Sequence, residues 1–168
     1  MKETLRQINR LVASGIIEKY AIAGGIAHFY YIEPSVTFDL DLIVAIAKEE
    51  NTLTPLTEIY DWSKKNNFET LAEHIVIAGI PVQFLPPYND LVKEALENRQ
   101  EITLFEEVTY ILSPEYLMAI MLQTGRASDK ERLTKFFDEA VYNNDLFEDI
   151  VIRFNLTVQL SNFRKIYE

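Results

Sequence analysis

A chain of 168 residues that is 48% hydrophobic and 12% aromatic carries enough apolar material for one domain with a buried core, and too little length for two. It has no cysteine and only His28 and His74, which excludes a disulfide framework, a thiolate metal site and a multi-histidine zinc centre; any metal is expected to be Mg²⁺ or Mn²⁺ on carboxylate oxygen. With 16 basic against 26 acidic residues, the net charge of −10 repels phosphate backbones, so broad nucleic-acid binding is not expected, while a nucleotide held locally through a metal is compatible with it.

The charged start, Met1 to Arg6, lacks the apolar run of a signal peptide. No stretch reaches the ~20 apolar residues of a membrane span, so the expected location is the cytoplasm, with no membrane partner. Leu5, Ile8, Val12 and Ile16 fall at helical spacing and predict an amphipathic helix over 3–14, stopped by Gly15. Tyr20 to Ala23 reads as a short apolar strand running into Gly24-Gly25, and Ile26 to Ile32 as a buried helix ended by Pro34. The strongest strand is Phe38 to Ala47. It opens on strict alternation, with Phe38, Leu40 and Leu42 on one face and Asp39, Asp41 and Ile43 on the other.

Leu56, Ile59, Tyr60 and Trp62 predict a helix, followed by the polar run 63–67. Two strands, 71–78 and 81–85, are expected to meet at a tight turn on Gly79. A helix over 89–98 leads to strands 101–105 and 108–112, a hairpin turning at Glu106-Glu107. From Ser113 onward the pattern is helical. Ser113 is placed to cap a helix with Pro114 in its first position, and Ser128-Asp129-Lys130-Glu131 reads as a capping box opening the next. One or two further helices occupy 145–166. No repeat or linker interrupts the chain, so the expected architecture is α+β in a single domain over 1–168, with a mixed sheet in 1–112 and a helical part in 113–168.

Asp39 and Asp41 carry the chemistry. Aspartates at i and i+2 on a strand project from one face, ~6–7 Å apart. At that distance two like charges repel by roughly 3 kcal/mol at an effective dielectric of 20, and aspartate is a poor strand former. A divalent cation between the carboxylates removes the conflict and suits phosphoryl transfer, where the metal neutralises charge on phosphate oxygens. The plainer reading is a surface strand whose outer face carries two acids. Gly24-Gly25 at a strand-to-helix junction lets backbone approach a phosphate, although such a pair is more often just a tight turn.

Taken together, strand, Gly-Gly, helix and an Asp-x-Asp strand (Tyr20-Ala-Ile-Ala-Gly-Gly-Ile-Ala, then Thr37-Phe-Asp-Leu-Asp-Leu-Ile-Val) resemble the signature of the DNA polymerase β-like nucleotidyltransferases. Gly79-Ile-Pro-Val-Gln-Phe-Leu-Pro and Pro114-Glu-Tyr-Leu-Met-Ala-Ile-Met-Leu-Gln-Thr-Gly-Arg-Ala-Ser-Asp-Lys further resemble small bacterial members grouped with the abortive-infection nucleotidyltransferases of type IV toxin–antitoxin systems. The resemblance spans roughly residues 5–140. It implies a nucleotidyltransferase-like mixed sheet with flanking helices and a C-terminal helical layer. It implies Asp39 and Asp41 as catalytic metal ligands, Gly24 and Gly25 as nucleotide-binding, and Arg126 and Lys130 facing the cleft where they could hold a triphosphate. It also implies a third carboxylate from a later strand, and that position is Gln83, an amide that hydrogen-bonds but cannot act as a general base. Glu73, Asp90 or a substrate phosphate are the groups that could stand in; the plainer reading of Gln83 is an inward polar residue bonded to backbone. No basic residue precedes the acidic strand, where Pro34-Ser35-Val36 stands.

Thr37 reaches a phosphate oxygen or simply opens the strand, and Asp129 and Arg126 have plain roles at helix ends. His28 and His74 read as satisfied structural histidines. Two functions follow: a metal-dependent enzyme moving a nucleotidyl group from an NTP to a hydroxyl acceptor, or an inactive member of the fold that binds a nucleotide or a protein partner.

Overall fold

The computed structural model describes residues 1–32, 39–46 and 56–167. The first helix, α1 (Lys2–Ala13), buries Leu5, Ile8 and Leu11 completely, an i, i+3, i+6 stripe that faces the sheet. Gly15, at φ +75°, turns the chain into β1 (Ile17–Ile22), three residues earlier than the apolar run at Tyr20 suggests. Tyr20 is buried because its hydroxyl is satisfied: it donates to Asn9 Oδ1 at 2.7 Å and shares a 2.9 Å bond with Thr109 Oγ1. Next come α2 (Gly24–Tyr31) and β2 (Leu40–Ile46), then α3 (Thr57–Lys65), which takes in the first three of the five residues of the predicted polar run.

The expected strand 71–78 is two strands, β3 (Glu69–Leu71) and β4 (His74–Ile77), separated by a turn with Ala72 at φ +52°. β4 turns through Ala78-Gly79 (φ +50° and +80°) into β5 (Ile80–Leu85). After α4 (Asp90–Glu97), β6 (Gln100–Leu104) and β7 (Glu107–Ile111) form the expected hairpin, but its turn is Phe105-Glu106 rather than Glu106-Glu107. Both turn residues have positive φ, +52° and +64°, the two-residue geometry whose twist matches that of paired strands. Neither residue favours this conformation. The five-pair ladder beside it imposes it, which is why composition alone misplaces the turn.

The seven strands form one sheet in the order β3-β4-β5-β2-β1-β7-β6. β2 runs antiparallel to β1 and parallel to β5, so the acidic strand occupies the centre. The C-terminal helices are α5 (Pro114–Thr124), α6 (Ala127–Glu139), α7 (Asn144–Arg153) and α8 (Thr157–Tyr167). Phe136, Phe147 and Phe163 join them to the core built on Leu40, Leu42 and Val82 of the sheet. Among the described residues no helix is long and apolar enough to cross a membrane.

Two caps differ from expectation. Ser113 stands at the N-cap of α5 with Pro114 after it, but its buried hydroxyl makes no capping bond. Ser128 opens no capping box either: Gly125, left-handed at φ +63°, ends α5 so sharply that α6 starts at Ala127 with Arg126 in the cap position. Asp129 is thereby turned back toward α5 and accepts from Thr124 Oγ1 at 2.6 Å. The helical layer is fastened at Glu115, a buried acid whose Oε1 accepts the Asn143 backbone N–H at 2.7 Å, just before α7. Glu115→Ala is expected to lower stability by about 1–3 kcal/mol by leaving that amide unmet, and Glu115→Gln by less, as read by urea denaturation.

Candidate functional site

The central crossing of β1, α2 and β2 shapes the site. The Ala23 N–H donates to the Asp41 carbonyl at 2.9 Å, tying the end of β1 to the acidic strand. Gly24 follows at φ +55°. A Cβ on Gly24 would lie 1.8 Å from Asp41 Oδ2, so the carboxylate occupies the space that any other residue would fill. Gly25 is buried inside α2 and does not line the cleft described below.

Sheet register decides what surrounds Asp41. Asp41 stands opposite Gln83 across the β2–β5 ladder, and Gln83 stands opposite His74 across β5–β4. Directly paired residues share a face, so Asp41, Gln83 and His74 form a row. Asp39, 46% exposed, presents Oδ2 3.9 Å from His74 Nε2. Burial, and next the Asp39 charge, push the Asp41 carboxyl above its ordinary value, against the opposing pull of His74 and Arg132. His74, expected as a structural histidine, thus stands beside the acidic pair. Its place depends on two strand pairings, and no local pattern marks it.

Asp41 and Gln83 line one end of a cleft of about 700 Å³ between the sheet and the C-terminal helices, while Asp39 and His74 stand just outside its lining. α6 contributes Arg126, Asp129, Arg132 and Phe136, spaced 3, 3 and 4 apart and therefore on one helical face. That spacing places Lys130 on the flank, outside the lining, and puts Arg132 in its stead. Arg132 bears on both Asp41 and His28. Helical spacing from Arg126 is the signal that could have found it. Arg126 lies at the other end, beside Tyr88. Glu73, from the turn between β3 and β4, lines the cleft, whereas Asp90 is outside it on α4, almost fully exposed beside Lys93. His28 is buried, 5.3 Å from the Phe136 ring centre, and burial together with Arg132 and Lys135 lowers its pKa to about 4, so it is neutral at pH 7. Thr37 lies outside the described residues.

Among the described residues no group of three or more histidines, cysteines or acids could hold a metal. The Asp39–Asp41 pair still fits Mg²⁺, which binds through one or two carboxylates and takes its remaining oxygens from water and substrate phosphates. Burial and the neighbouring Asp39 charge raise the Asp41 carboxyl, a setting in which a nearby cation would offset the charge of the pair.

The architecture has a solved counterpart. The crystal structure of an antigenic nucleotidyltransferase-like protein from Paracoccidioides brasiliensis superposes with a TM-score of 0.59, covering 96% of this chain and 90% of that one at 17% sequence identity. The chain has a nucleotidyltransferase-like fold. At that identity the match speaks for the fold: a mixed sheet flanked by helices, with a C-terminal helical layer. No family model matches the sequence, and no curated protein does. Within the nucleotidyltransferase-like fold, the row Asp41-Gln83-His74 and the cations of α6 are read from this chain's own geometry.

Proposed function

We propose that residues 1–168 form one metal-dependent nucleotidyltransferase domain that moves a nucleotidyl group from an NTP to a hydroxyl acceptor. The observation that carries this reading is the Asp41 carboxylate seated against Gly24, beside Asp39, at the polar end of a cleft with two arginines. Mg²⁺ (or Mn²⁺) on the two aspartates would neutralise triphosphate charge. Gly24 leaves room for the Asp41 carboxylate to sit against the backbone at the start of α2. Arg132, which bears on Asp41 from α6, supplies a fixed cation. The acceptor oxygen would attack the α-phosphorus, its proton passing to a substrate phosphate oxygen or to Glu73 in the cleft wall, the α–β phosphoanhydride bond would break, and pyrophosphate would leave. Positioning and electrostatics do most of such work. The sequence resemblance to abortive-infection toxins supports a protein partner and cytoplasmic action as parts of the same reading.

Gln83 favours a second reading. It stands beside Asp41 where a third acid would take the acceptor's proton, and an amide cannot. A protein that binds Mg²⁺–NTP without transferring it fits that substitution. Thermal unfolding with each NTP, with and without Mg²⁺, tests the shared part: saturation at a hundredfold Kd is expected to add about 2.7 kcal/mol. A native chain that no NTP stabilises in Mg²⁺ would sink both readings. Labelled NTP incubated with cell RNA and protein then separates them, since transfer supports the enzyme and binding without transfer the binding module.

A further inference from the structure

Along β2 and β5 the floor of the cleft passes from polar to apolar, and the strand register orders the two parts. Two residues beyond Asp41 and Gln83, on the same face, Ile43 and Leu85 are paired across β2 and β5. Three residues past Leu85 the chain brings in Tyr88, which lines the cleft although it is 56% exposed. α5 covers this end with Leu117, Ile120 and Met121, an i, i+3, i+4 set. Arg126 and Asp129 of the α6 start lie near the ring, and its exposed face looks into the apolar side chains of the cleft; an exposed aromatic ring in a concave wall is a binding feature rather than a packing one.

We infer that this apolar end seats the nucleobase, stacked on Tyr88 and covered by the Leu117–Ile120–Met121 face of α5. The inference rests on the nucleotide reading of the polar end and adds to it an orientation: phosphates toward Asp41 and Gly24, base toward Tyr88. A triphosphate alone satisfies the carboxylate-bound cation and Arg132 but leaves the apolar end unfilled. Stacking on an aromatic side chain is sequence-tolerant, so the ring sets how tightly a base is held, whichever base it is. Arg126 and Asp129 act on the Tyr88 hydroxyl in opposite senses, so the ring's outer edge meets both charges.

Calorimetric titration of the whole chain in Mg²⁺, with each of the four NTPs and with inorganic triphosphate, tests this. The wild type is expected to bind its best NTP at least about tenfold more tightly than triphosphate. Tyr88→Ala is expected to remove that gap while triphosphate affinity stays within about twofold, and Tyr88→Phe, which keeps the ring, to restore it. A wild type that binds triphosphate and NTPs equally well would overturn the inference and leave the metal–phosphate reading standing. So would a Tyr88→Ala variant that keeps full NTP affinity or weakens both ligands alike. A wild type that binds neither overturns the nucleotide reading, and this inference with it.

Discussion

Gly24→Ala is expected to lower stability by about 2–5 kcal/mol and to abolish Mg²⁺-dependent nucleotide binding. The first contribution is conformational: at φ +55° a residue with a Cβ costs about 1–2 kcal/mol. The second is steric. The new Cβ would lie 1.8 Å from Asp41 Oδ2, 2.8 Å from its Cγ and 3.0 Å from its Cβ, so rotating the carboxylate does not clear it. α2 must then move off β2, an overpacking cost of typically 1–3 kcal/mol, in a place where the Ala23–Asp41 backbone bond resists separation. A double-mutant cycle isolates the contact: in an Asp41→Gly background all three clashing atoms are gone, and Gly24→Ala should cost only about 1–2 kcal/mol. Strict additivity in urea denaturation would show that the two residues do not touch.

The second large effect concerns the charge on Asp41. Burial and the Asp39 charge hold its folded-state carboxyl above the ordinary value of 3.8, so the folded protein binds that proton more tightly than the unfolded chain does. The resulting stability is fully present below the unfolded value and is lost as pH rises through the folded one. At pH 7, without metal, ionised Asp41 therefore costs stability. Asp41→Asn is expected to stabilise the metal-free protein on the order of 1 kcal/mol, a figure already reduced for solvent screening at half-exposed Asp39 and for the relief from His74 and Arg132. The gain should shrink as pH falls toward 4. Adding Mg²⁺ should reverse the ranking, because the cation stabilises only the paired carboxylates. Together with Asp39→Asn the substitution should leave no Mg²⁺-dependent NTP binding. Urea denaturation across pH 4–8, with and without Mg²⁺, reads all of this. A wild type that outlasts Asp41→Asn at pH 7 in metal-free buffer would contradict the strained-carboxylate account.

Local pattern carried much of the fold. The alternation around Asp39 and Asp41 identified a strand, the apolar spacing from Leu5 a helix, and Pro114 the start of the helical layer, because each signal depends on residues a few positions apart. The capping box at Ser128 failed for a local reason too strong for the pattern: left-handed Gly125 started α6 at Ala127. The hairpin turn at Phe105-Glu106 failed for a non-local one, the ladder that imposes positive φ on two unsuited residues.

The sequence by itself determined that two aspartates stand two positions apart at an apolar strand downstream of a Gly-Gly junction, in an acidic chain without cysteine, although β2 begins at Leu40 and leaves Asp39 just before it. Those properties follow from periodicity and composition, which need no knowledge of distant contacts. Only the tertiary structure decided that Asp41 presses on Gly24, that Gln83 and His74 complete its row, and that Arg132 rather than Lys130 faces it. Each of these depends on strand order, register or helix phase. Such quantities are set by pairing between segments tens of residues apart, where a shift of one residue would turn every side chain to the opposite face.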